Sequence, residues 1–380
     1  MQPFRTFFLG GFECSTHRRS DGRRLDLIAA TKHDVFARSD YERLQRLGIS
    51  TVRDGIRWHL IEQVEGFYNF RSVVQMIRAA QVTGTQVIWD VCHYGWPDDL
   101  DVFSPAFVRR FAKFARAFAK LLRDETSGEL FISPLNEPSF LSWAGGDVGY
   151  LNPHEKGRGF ELKQQLARAT VEGIEAIWDV APRSRILHCE PAIHIAADRA
   201  RPQDREIAEE YRIFQFQSLD MIAGRICPEL GGSMKYLDLV GLNYYWNNQW
   251  VHKSRTLTQG DPEYRPFRHL LREFHERYDR PVFVSETGTE GDARPKWLSY
   301  VASEVLAARE LRIPVEGICL YPILNHPGWD NDRHCPCGLL GYADEFGRRE
   351  CYRPLETELK HWQNRLEPVK DFELTSIRGK

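Results

Sequence analysis

Residues 131–138 read FISPLNEP, and residues 281–288 read PVFVSETG. In each segment an apolar run that favours β structure ends on a glutamate, Glu137 or Glu286, and a residue that interrupts strands follows within two positions. In parallel α/β proteins, the side chains that act on ligands stand at the carboxyl ends of the strands. The two segments therefore predict two carboxylates at the same edge of a buried parallel sheet.

Apolar runs of the same kind recur from end to end of the chain and alternate with amphipathic stretches. In residues 107–123, for example, apolar side chains recur at helical spacing and leave Arg and Lys on the opposite face. This alternation is typical of βαβ units around a buried parallel sheet. We predict eight strands, at 7–12, 50–54, 86–92, 130–137, 185–190, 237–244, 281–286 and 315–321. Eight strand-helix units predict a closed (β/α)8 TIM barrel.

An open, doubly wound sheet is the alternative fold. It would normally carry a glycine-rich phosphate loop after its first strand, and residues 10–13, Gly-Gly-Phe-Glu, do not match that pattern. The chain shows neither an internal repeat nor a low-complexity linker. We therefore predict a single catalytic domain over residues 1–380, with a core at about 7–362 and a C-terminal tail at 363–380. Stretches 138–184, 191–236 and 245–280 are expected to form enlarged loops and helices at the C-terminal face, where they would enclose a pocket.

The composition is that of a soluble globular protein. Of the 380 residues, 42% are hydrophobic and 12% are aromatic, and the formal net charge of −2 gives no sign of a nucleic-acid or membrane partner. Eight cysteines at irregular spacing are typical of reduced thiols, so we expect a cytoplasmic protein. The oligomeric state is not indicated.

A metal site is an alternative that the cysteines and histidines raise. Cys335, Cys337 and Cys351 could form a thiolate site for zinc, but Cys-x-Cys is not the usual Cys-x2-Cys spacing. A metal-dependent barrel hydrolase would need histidines at strand ends that point together, for instance His93 with His188 and an acid. Neither pattern is strong, and we expect no metal and no cofactor.

Two facing carboxylates are the chemistry of glycosidic bond cleavage. When configuration is retained, one carboxyl is protonated to assist the leaving group and the other is ionised to attack the anomeric carbon, about 5 to 5.5 Å away from the first. A single glutamate at a strand end is usually explained by an ion pair or a helix cap. The joint occurrence of Asn136-Glu137-Pro138 and Ser285-Glu286-Thr287-Gly288 instead favours a catalytic pair.

These motifs resemble those of the retaining β-glycosidases of the large (β/α)8 clan, and within it glycoside hydrolase family 1. In that family the fourth strand ends in Asn-Glu-Pro, which carries the acid/base, and the seventh ends in Glu-Asn-Gly, which carries the nucleophile. The resemblance implies that Glu137 is the acid/base and Glu286 the nucleophile. It also implies a retaining exo-β-glycosidase of the β-glucosidase type, which hydrolyses a small-molecule or oligosaccharide β-glycoside through a covalent glycosyl-enzyme without a cofactor.

Three further segments extend the resemblance. The segment VRDGIRW looks like the family's second strand, whose arginine, here Arg53, supports the nucleophile. The segment HYGWP is similar to the third-strand segment whose histidine, here His93, binds a sugar hydroxyl, and the amide of Asn136 is expected to bind another. In GLNYY, which is similar to the sixth-strand motif, the second tyrosine, Tyr245, is expected to hydrogen-bond the nucleophile.

The segment around the eighth strand departs from the family pattern. Tyr321 stands where the family usually has a tryptophan beneath the sugar, and Gly328 stands where it has a glutamate that grips the outer hydroxyls. Tyr321, Trp329 and Asp330 are nevertheless expected to line the sugar site. The identity of the sugar is therefore not specified.

Other polar residues could contribute to the sugar site. Asn325, His326 and Asp330 lie in the same loop and could replace the missing glutamate, although each is equally well explained as an ordinary polar loop residue. Glu13, in the segment of the first strand, could also face the pocket.

The two glutamates are expected to differ in pKa. Arg53 and Tyr245 should hold the pKa of Glu286 low, while Glu137, less well paired in a drier pocket, should have a raised pKa. A transglycosylase would use the same residues with an acceptor other than water. A non-catalytic glycan-binding barrel is the alternative from another class, and the retention of both Glu137 and Glu286 argues against it.

Overall fold

The computed structural model describes residues 2–367 and shows a closed barrel of eight parallel strands. The strands are β1 (Phe8–Gly11), β2 (Thr51–Gly55), β3 (Gln86–Cys92), β4 (Phe131–Leu135), β5 (Arg185–Pro191), β6 (Leu239–Asn243), β7 (Val282–Thr287) and β8 (Val315–Leu320). Each strand pairs with its neighbours in chain order, and β1 closes the barrel by pairing with both β2 and β8. The prediction of eight strands in a (β/α)8 barrel is confirmed.

The barrel interior is filled by side chains rather than open. Alternate residues of each strand point inward, and Phe4 closes the core, its ring centroid 5.2 Å from that of Phe283 in an edge-on contact. This inner core consists of Phe4, Leu9, Ile88, Phe131, Leu187, Cys189, Leu239, Phe283, Cys319 and Tyr321. Since this core is packed, a ligand of the barrel is expected at the ends of the strands rather than inside it.

The outer layer consists of amphipathic helices. The helices of at least nine residues are His33–Arg46, Arg71–Thr83, Pro105–Glu125, Gly159–Val180, Arg205–Ile213, Phe267–Tyr278, Arg294–Glu310 and Arg353–Leu366. Pro105–Glu125 contains the helix predicted at 107–123. It begins with proline, which suits the first helical turn, and its buried stripe includes Phe118, which packs edge-on against Trp89 of β3.

The three long stretches predicted as loops and helices each contain one of these outer helices. Outside the barrel strands and these eight helices, the described residues form short helices at Leu27–Ala30, Trp58–Ile61, Pro138–Leu141 and Gln217–Ile222, a π-helix at Ser142–Asp147 and three small strand pairs. The pairs join His194–Ala196 to Gln249–Val251, His326–Pro327 to His334–Cys335, and Leu340–Ala343 to Arg349–Cys351. Short 3-10 turns complete the connections.

The last helix closes the chain against the first strand. It ends at Leu366, beyond the predicted core boundary at 362, and the Glu367 Oε1 atom accepts hydrogen bonds from the N–H groups of Phe7 and Phe8 at 2.8 and 3.1 Å. Residues 368–380 of the predicted tail lie outside the described residues. None of the helices between residues 2 and 367 combines the length and apolar composition that a bilayer crossing requires.

Candidate active site

Glu137 and Glu286 both lie at the carboxyl ends of barrel strands. Glu286 belongs to β7, and Glu137 follows β4 by two residues. Their side chains are buried, with 8% and 5% of their surfaces exposed. Glu137 has φ 42° and ψ 60°, a left-handed conformation that is costly for a residue with a Cβ atom. Such strain persists only where the surrounding structure imposes it, and it occurs preferentially at functional sites.

Glu286 is held by one cation and one phenol. Arg53 of β2 donates from Nη1 to Glu286 Oε1 at 2.7 Å, and Tyr245 donates from its hydroxyl to Oε2 at 2.8 Å. Arg53 is fully buried and also donates from Nε to Asp90 Oδ1 of β3 at 3.1 Å. The guanidinium is therefore fixed between two carboxylates, and Glu286 keeps a defined orientation.

Glu137 is held by neutral donors. Asn243, the last residue of β6, donates from Nδ2 to Glu137 Oε1 at 2.8 Å, and the hydroxyl of Tyr94 donates to Oε2. The Ser285 hydroxyl donates to Asn243 Oδ1 at 2.6 Å, which turns the Asn243 amino group toward Glu137. The two carboxylates thus have different environments, one bound to a fixed positive charge and the other to dipoles.

Burial affects the pKa of both carboxyls. Burial and the charge of Glu286 together raise the pKa of Glu137 to about 7 against the opposing donors, as expected. Burial also raises the pKa of Glu286 above its usual range, because Arg53, His93 and the Tyr245 hydroxyl only partly offset the lost hydration. The expectation of a low pKa for Glu286 is therefore wrong in direction, because it considered the stabilising contacts of Arg53 and Tyr245 but not the loss of hydration on burial.

Asn136 and His93 connect the two carboxylates. Arg53 donates from Nη2 to Asn136 Oδ1 at 2.6 Å, and Asn136 Nδ2 lies 3.0 Å from His93 Nε2 and 2.9 Å from the Tyr94 hydroxyl. His93 Nδ1 lies 3.2 Å from Asp90 Oδ2. Asn136 and His93 were predicted to bind sugar hydroxyls. Their polar atoms already have partners within the protein, so a sugar would have to share or exchange these contacts.

Glu13 lies beside His93, on the side of the first strand. Its Oε1 atom accepts from the Ser15 N–H at 2.9 Å and also from the Ser15 hydroxyl, and it is 4.0 Å from His93 Nε2. Burial alone would raise the pKa of Glu13, but His93, His326 and Ser15 outweigh it and lower the pKa. A buried, ionised carboxylate therefore adjoins the residues at the strand ends.

Tyr321 lies within the barrel rather than in the loops beyond the strand ends. Its ring belongs to the inner core, with the centroid 5.3 Å from the Arg53 guanidinium carbon. It lies directly over Gly11, where a Cβ atom would come 2.1 Å from the Tyr321 Cδ2 atom. Trp329 is half-buried, and its ring centroid is 4.8 Å from that of His17 and 5.7 Å from that of Tyr94. Tyr321 thus belongs to the packed interior beneath the site, whereas Trp329 lies beside His17 and Tyr94.

The candidate replacements for Gly328 are engaged elsewhere. Asp330 is exposed, accepts from the Tyr150 hydroxyl at 2.6 Å and binds Arg19 through its backbone oxygen at 2.7 Å. Asn325 Oδ1 accepts from the backbone N–H of Gly338 at 2.8 Å. His326 Nδ1 lies 2.7 Å from the Pro327 carbonyl oxygen. Glu13, which was expected only to face the pocket, is by contrast a buried carboxylate next to His93.

The structure bears on both metal alternatives. Among residues 2–367, one set of three potential ligands comes together, Cys14, Asp90 and His93, with their ligand atoms within 4.8 Å of one another. Arg53 donates to the same Asp90 carboxylate at 2.8 Å, and this fixed positive charge disfavours a cation there. The set does not include Cys335, Cys337 or Cys351. His188 instead lies 2.8 Å from the Tyr236 carbonyl oxygen, away from His93.

Four residues of the site were not singled out from the sequence. Tyr94 and Asn243 bind Glu137, and Asp90 binds Arg53. Glu190, near the end of β5, is buried and accepts from the backbone N–H of Ser139 at 3.3 Å. Burial and the charge of Glu137 raise the pKa of Glu190 to about 8. Asp90, Glu190 and Asn243 each stand in a mostly apolar strand. The sequence signal that could have identified these three residues is a polar side chain near the carboxyl end of such a strand.

Comparison with known proteins finds similarity among solved structures. No known protein family matches the sequence, and no curated protein matches it. A β-glucosidase from Thermotoga maritima in complex with glucoimidazole is 16% identical and aligns over 95% of this chain and 97% of its own, with a TM-score of 0.77. The family 1 β-glucosidase from the same organism in complex with isofagomine lactam is also 16% identical, covering 96% and 99%, with a TM-score of 0.78.

The similarity extends over nearly the whole length of both proteins. A hyperthermophilic β-glucosidase mutant, again 16% identical, covers 94% of this chain and 100% of its own, with a TM-score of 0.74. At this level of identity the likeness establishes the fold. The predicted resemblance to the barrel of glycoside hydrolase family 1 is thereby confirmed at the level of structure.

Proposed function

We propose that the chain is a retaining exo-β-glycosidase that hydrolyses a β-O-glycosidic bond through a covalent glycosyl-enzyme, with Glu286 as nucleophile and Glu137 as acid/base. The observation that carries the proposal is the unequal pairing of two buried carboxyls at strand ends. Glu286 is bound by Arg53 and Tyr245, whereas Glu137 is bound only by neutral donors and has a pKa of about 7. This difference is what acid catalysis and nucleophilic attack require of two like residues.

In the first step, Glu286 attacks the anomeric carbon as the bond to the leaving oxygen breaks. The proton of Glu137 passes to that oxygen, and an ester between Glu286 and the sugar forms. Arg53 and Tyr245 stabilise Glu286 while it is ionised and hold the attacking oxygen in place. The reaction thus begins with Glu137 protonated and Glu286 ionised.

In the second step, water attacks the anomeric carbon and the ester bond to Glu286 breaks. Glu137, now ionised, accepts the proton of the water. Loss of the negative charge on Glu286 removes a repulsion that raises the pKa of Glu137, so the same carboxyl is more easily ionised once the ester has formed. The sugar leaves with its original anomeric configuration, and both carboxyls return to their starting states.

The proposed substrate is a small-molecule or oligosaccharide β-glycoside with a terminal sugar in the pocket. His93, Asn136 and Glu13 would contact its hydroxyls from the strand ends, and Trp329 would pack against it from the loop after β8. Aromatic rings stack favourably on the apolar faces of sugars, and the half-buried Trp329 offers such a ring. Solved β-glucosidases of the same fold carry sugar-like inhibitors, including glucoimidazole and isofagomine lactam.

The test is a screen of aryl β-glycosides followed by stereochemical analysis. Purified protein is incubated with β-glucoside, galactoside, fucoside, mannoside, xyloside and glucuronide substrates, and proton NMR follows the first sugar released from the best of them. We expect the β-anomer to appear before mutarotation. Release of the α-anomer would overturn the retaining mechanism, and hydrolysis of none of the substrates would argue for the non-catalytic alternative.

A further inference from the structure

We propose that Tyr94 is a positioning residue for Glu137, fixing its carboxyl and stabilising its ionised form for the second step of the proposed reaction. Tyr94 lies two residues after the end of the third strand, and 43 residues before Glu137 in the chain. Its hydroxyl donates to Glu137 Oε2 and accepts from Asn136 Nδ2 at 2.9 Å. The inference rests on the proposed function for its kinetic meaning, but the contact itself can be tested separately.

The direction of the Tyr94 hydrogen bond follows from Arg53. A guanidinium can only donate, so the Asn136 oxygen must face Arg53, at 2.6 Å from Nη2. The Asn136 amino group then faces the Tyr94 oxygen, which has to accept from it. The single hydroxyl hydrogen of Tyr94 is left to point at Glu137. The chain from Arg53 through Asn136 to Tyr94 therefore joins the partner of the nucleophile to the acid/base.

The backbone and the packing of Tyr94 hold this arrangement in place. Tyr94 has φ 66°, so two residues with Cβ atoms, Tyr94 and Glu137, are both in the left-handed region at neighbouring strand ends. The Tyr94 side chain is 2% exposed, its ring centroid is 5.6 Å from that of Phe140, and its carbonyl oxygen accepts from Asn152 at 3.1 Å. The hydroxyl is therefore held at Glu137 rather than delivered by a mobile loop.

A fixed donor favours the charged form of the carboxyl that it binds. Burial and the charge of Glu286 both oppose ionisation of Glu137, while the hydroxyl of Tyr94 and the amide of Asn243 favour it. Without the Tyr94 hydroxyl, Glu137 would remain protonated to higher pH. It would then be a weaker base toward water in the second step, although its role as an acid in the first step would be retained.

The direct test is a titration of Glu137 that does not depend on activity. The full chain is labelled with 13Cδ-glutamate, the Glu137 resonance is assigned through its absence in Glu137→Gln, and its midpoint is measured by NMR in wild type and Tyr94→Phe. We expect the midpoint in Tyr94→Phe to lie higher by about one pH unit. An unchanged midpoint would overturn the proposal.

Two further variants keep this titration interpretable. Tyr278→Phe is the matched control, because the buried Tyr278 hydroxyl also contacts a carboxylate, Asp220 Oδ1 at 3.1 Å, outside the site. It should leave the Glu137 midpoint unchanged. Should Tyr94→Phe not fold, Asn136→Ser removes the amide that orients the Tyr94 hydroxyl, and the midpoint should rise there as well. A midpoint unmoved in Asn136→Ser would contradict the proposal.

The kinetic test uses an activated aryl β-glycoside, for which the second step limits kcat. In Tyr94→Phe we expect the alkaline limb of kcat/KM to move with the NMR midpoint and kcat to fall about tenfold. Azide needs no general base and should restore the turnover of this variant. Failure of azide to restore turnover would count against the role of Tyr94 in the second step. If wild type hydrolyses no β-glycoside while the NMR midpoint still moves, the proposed function fails and the role of Tyr94 at Glu137 stands.

Discussion

Two parts of the proposed sugar site can be set side by side: the strand-end network, formed by Arg53, Asn136, Glu137, Tyr245 and Glu286, and the loop after β8, residues 322–338. In the network each side chain hydrogen-bonds another member or an immediate buried neighbour. In the loop, Asn325 binds backbone and Asp330 binds the exposed Tyr150. The difference indicates that the chemistry proposed for Glu137 and Glu286 rests on the barrel strands, whereas changes at Asn325 or Asp330 would leave the hydrogen bonds of the network in place.

The largest expected effect is in the network, at Glu286. Glu286→Gly should lower kcat about 100,000-fold on an aryl β-glycoside, because no ester can form. Azide should partly restore the reaction by entering the vacated space, and NMR should identify the product as the α-glycosyl azide. Glu290→Gly, which removes a carboxylate bound to Arg333 outside the network, is the control. Full activity in Glu286→Gly would end the assignment of the nucleophile.

Glu137 should show an effect that depends on the leaving group. In Glu137→Ala, kcat/KM should fall about 1,000-fold for an alkyl β-glycoside, whose oxygen needs a proton, but only about tenfold for a dinitrophenyl β-glycoside, which leaves unaided. Comparison of kcat/KM across a series of leaving groups measures this dependence. Equal losses for good and poor leaving groups would show that Glu137 is not the acid.

The raised pKa of Glu137 predicts a pH dependence of activity and of stability. Since Glu137 must be protonated in the first step, kcat/KM should fall as the pH rises above about 7, and it should also fall at low pH, where Glu286 becomes protonated. Between pH 4.5, the ordinary pKa of a glutamate carboxyl, and about pH 7, Glu137 is protonated in the folded protein but ionised in the unfolded chain. The free energy of unfolding should therefore fall as pH rises through this window.

Glu137→Gln removes this cost of ionisation. Its free energy of unfolding in urea should exceed that of wild type at pH 8 by up to about 3 kcal/mol, and the difference should vanish near pH 4. A constant difference at both pH values would show that packing rather than ionisation is responsible.

The smallest effects are expected at the edge of the site, where Glu13 and Asp330 can be compared directly. Glu13→Gln should raise KM and lower kcat/KM about tenfold, because a buried ionised acceptor for sugar hydroxyls is lost. Asp330→Asn should change kcat/KM less than about threefold, because that carboxylate is exposed and bound to Tyr150. A larger effect at Asp330 than at Glu13 would reverse their proposed order of importance.

The sequence was sufficient to predict the barrel, because strand periodicity and strand-ending residues are local signals. All eight strands lie where the pattern placed them, within a few residues at their ends. The pair Glu137 and Glu286 could be found for the same reason. Arg53 and Tyr245 came from the resemblance, and the structure brings both into contact with Glu286.

Contacts between distant segments were harder to predict. The hydroxyl of Tyr94 contacts Glu137, and both residues adopt left-handed backbone conformations, which no local pattern indicated. The raised pKa of Glu286 depends on how completely the folded chain removes water from it. The engagement of Asn136 by Arg53 and Tyr94 likewise follows from three strands meeting at one edge.

The close approach of Tyr321 to Gly11 has a consequence for changing the substrate range. Any side chain at position 11 would collide with the Tyr321 ring, since even a Cβ atom would lie 2.1 Å from it. Position 321 can therefore be redesigned only within the space that a glycine on the neighbouring strand leaves, and the effects of changes at the two positions should not add. A directed-evolution library for new sugars should vary residues 11 and 321 together, because beneficial combinations can be inaccessible through either single substitution.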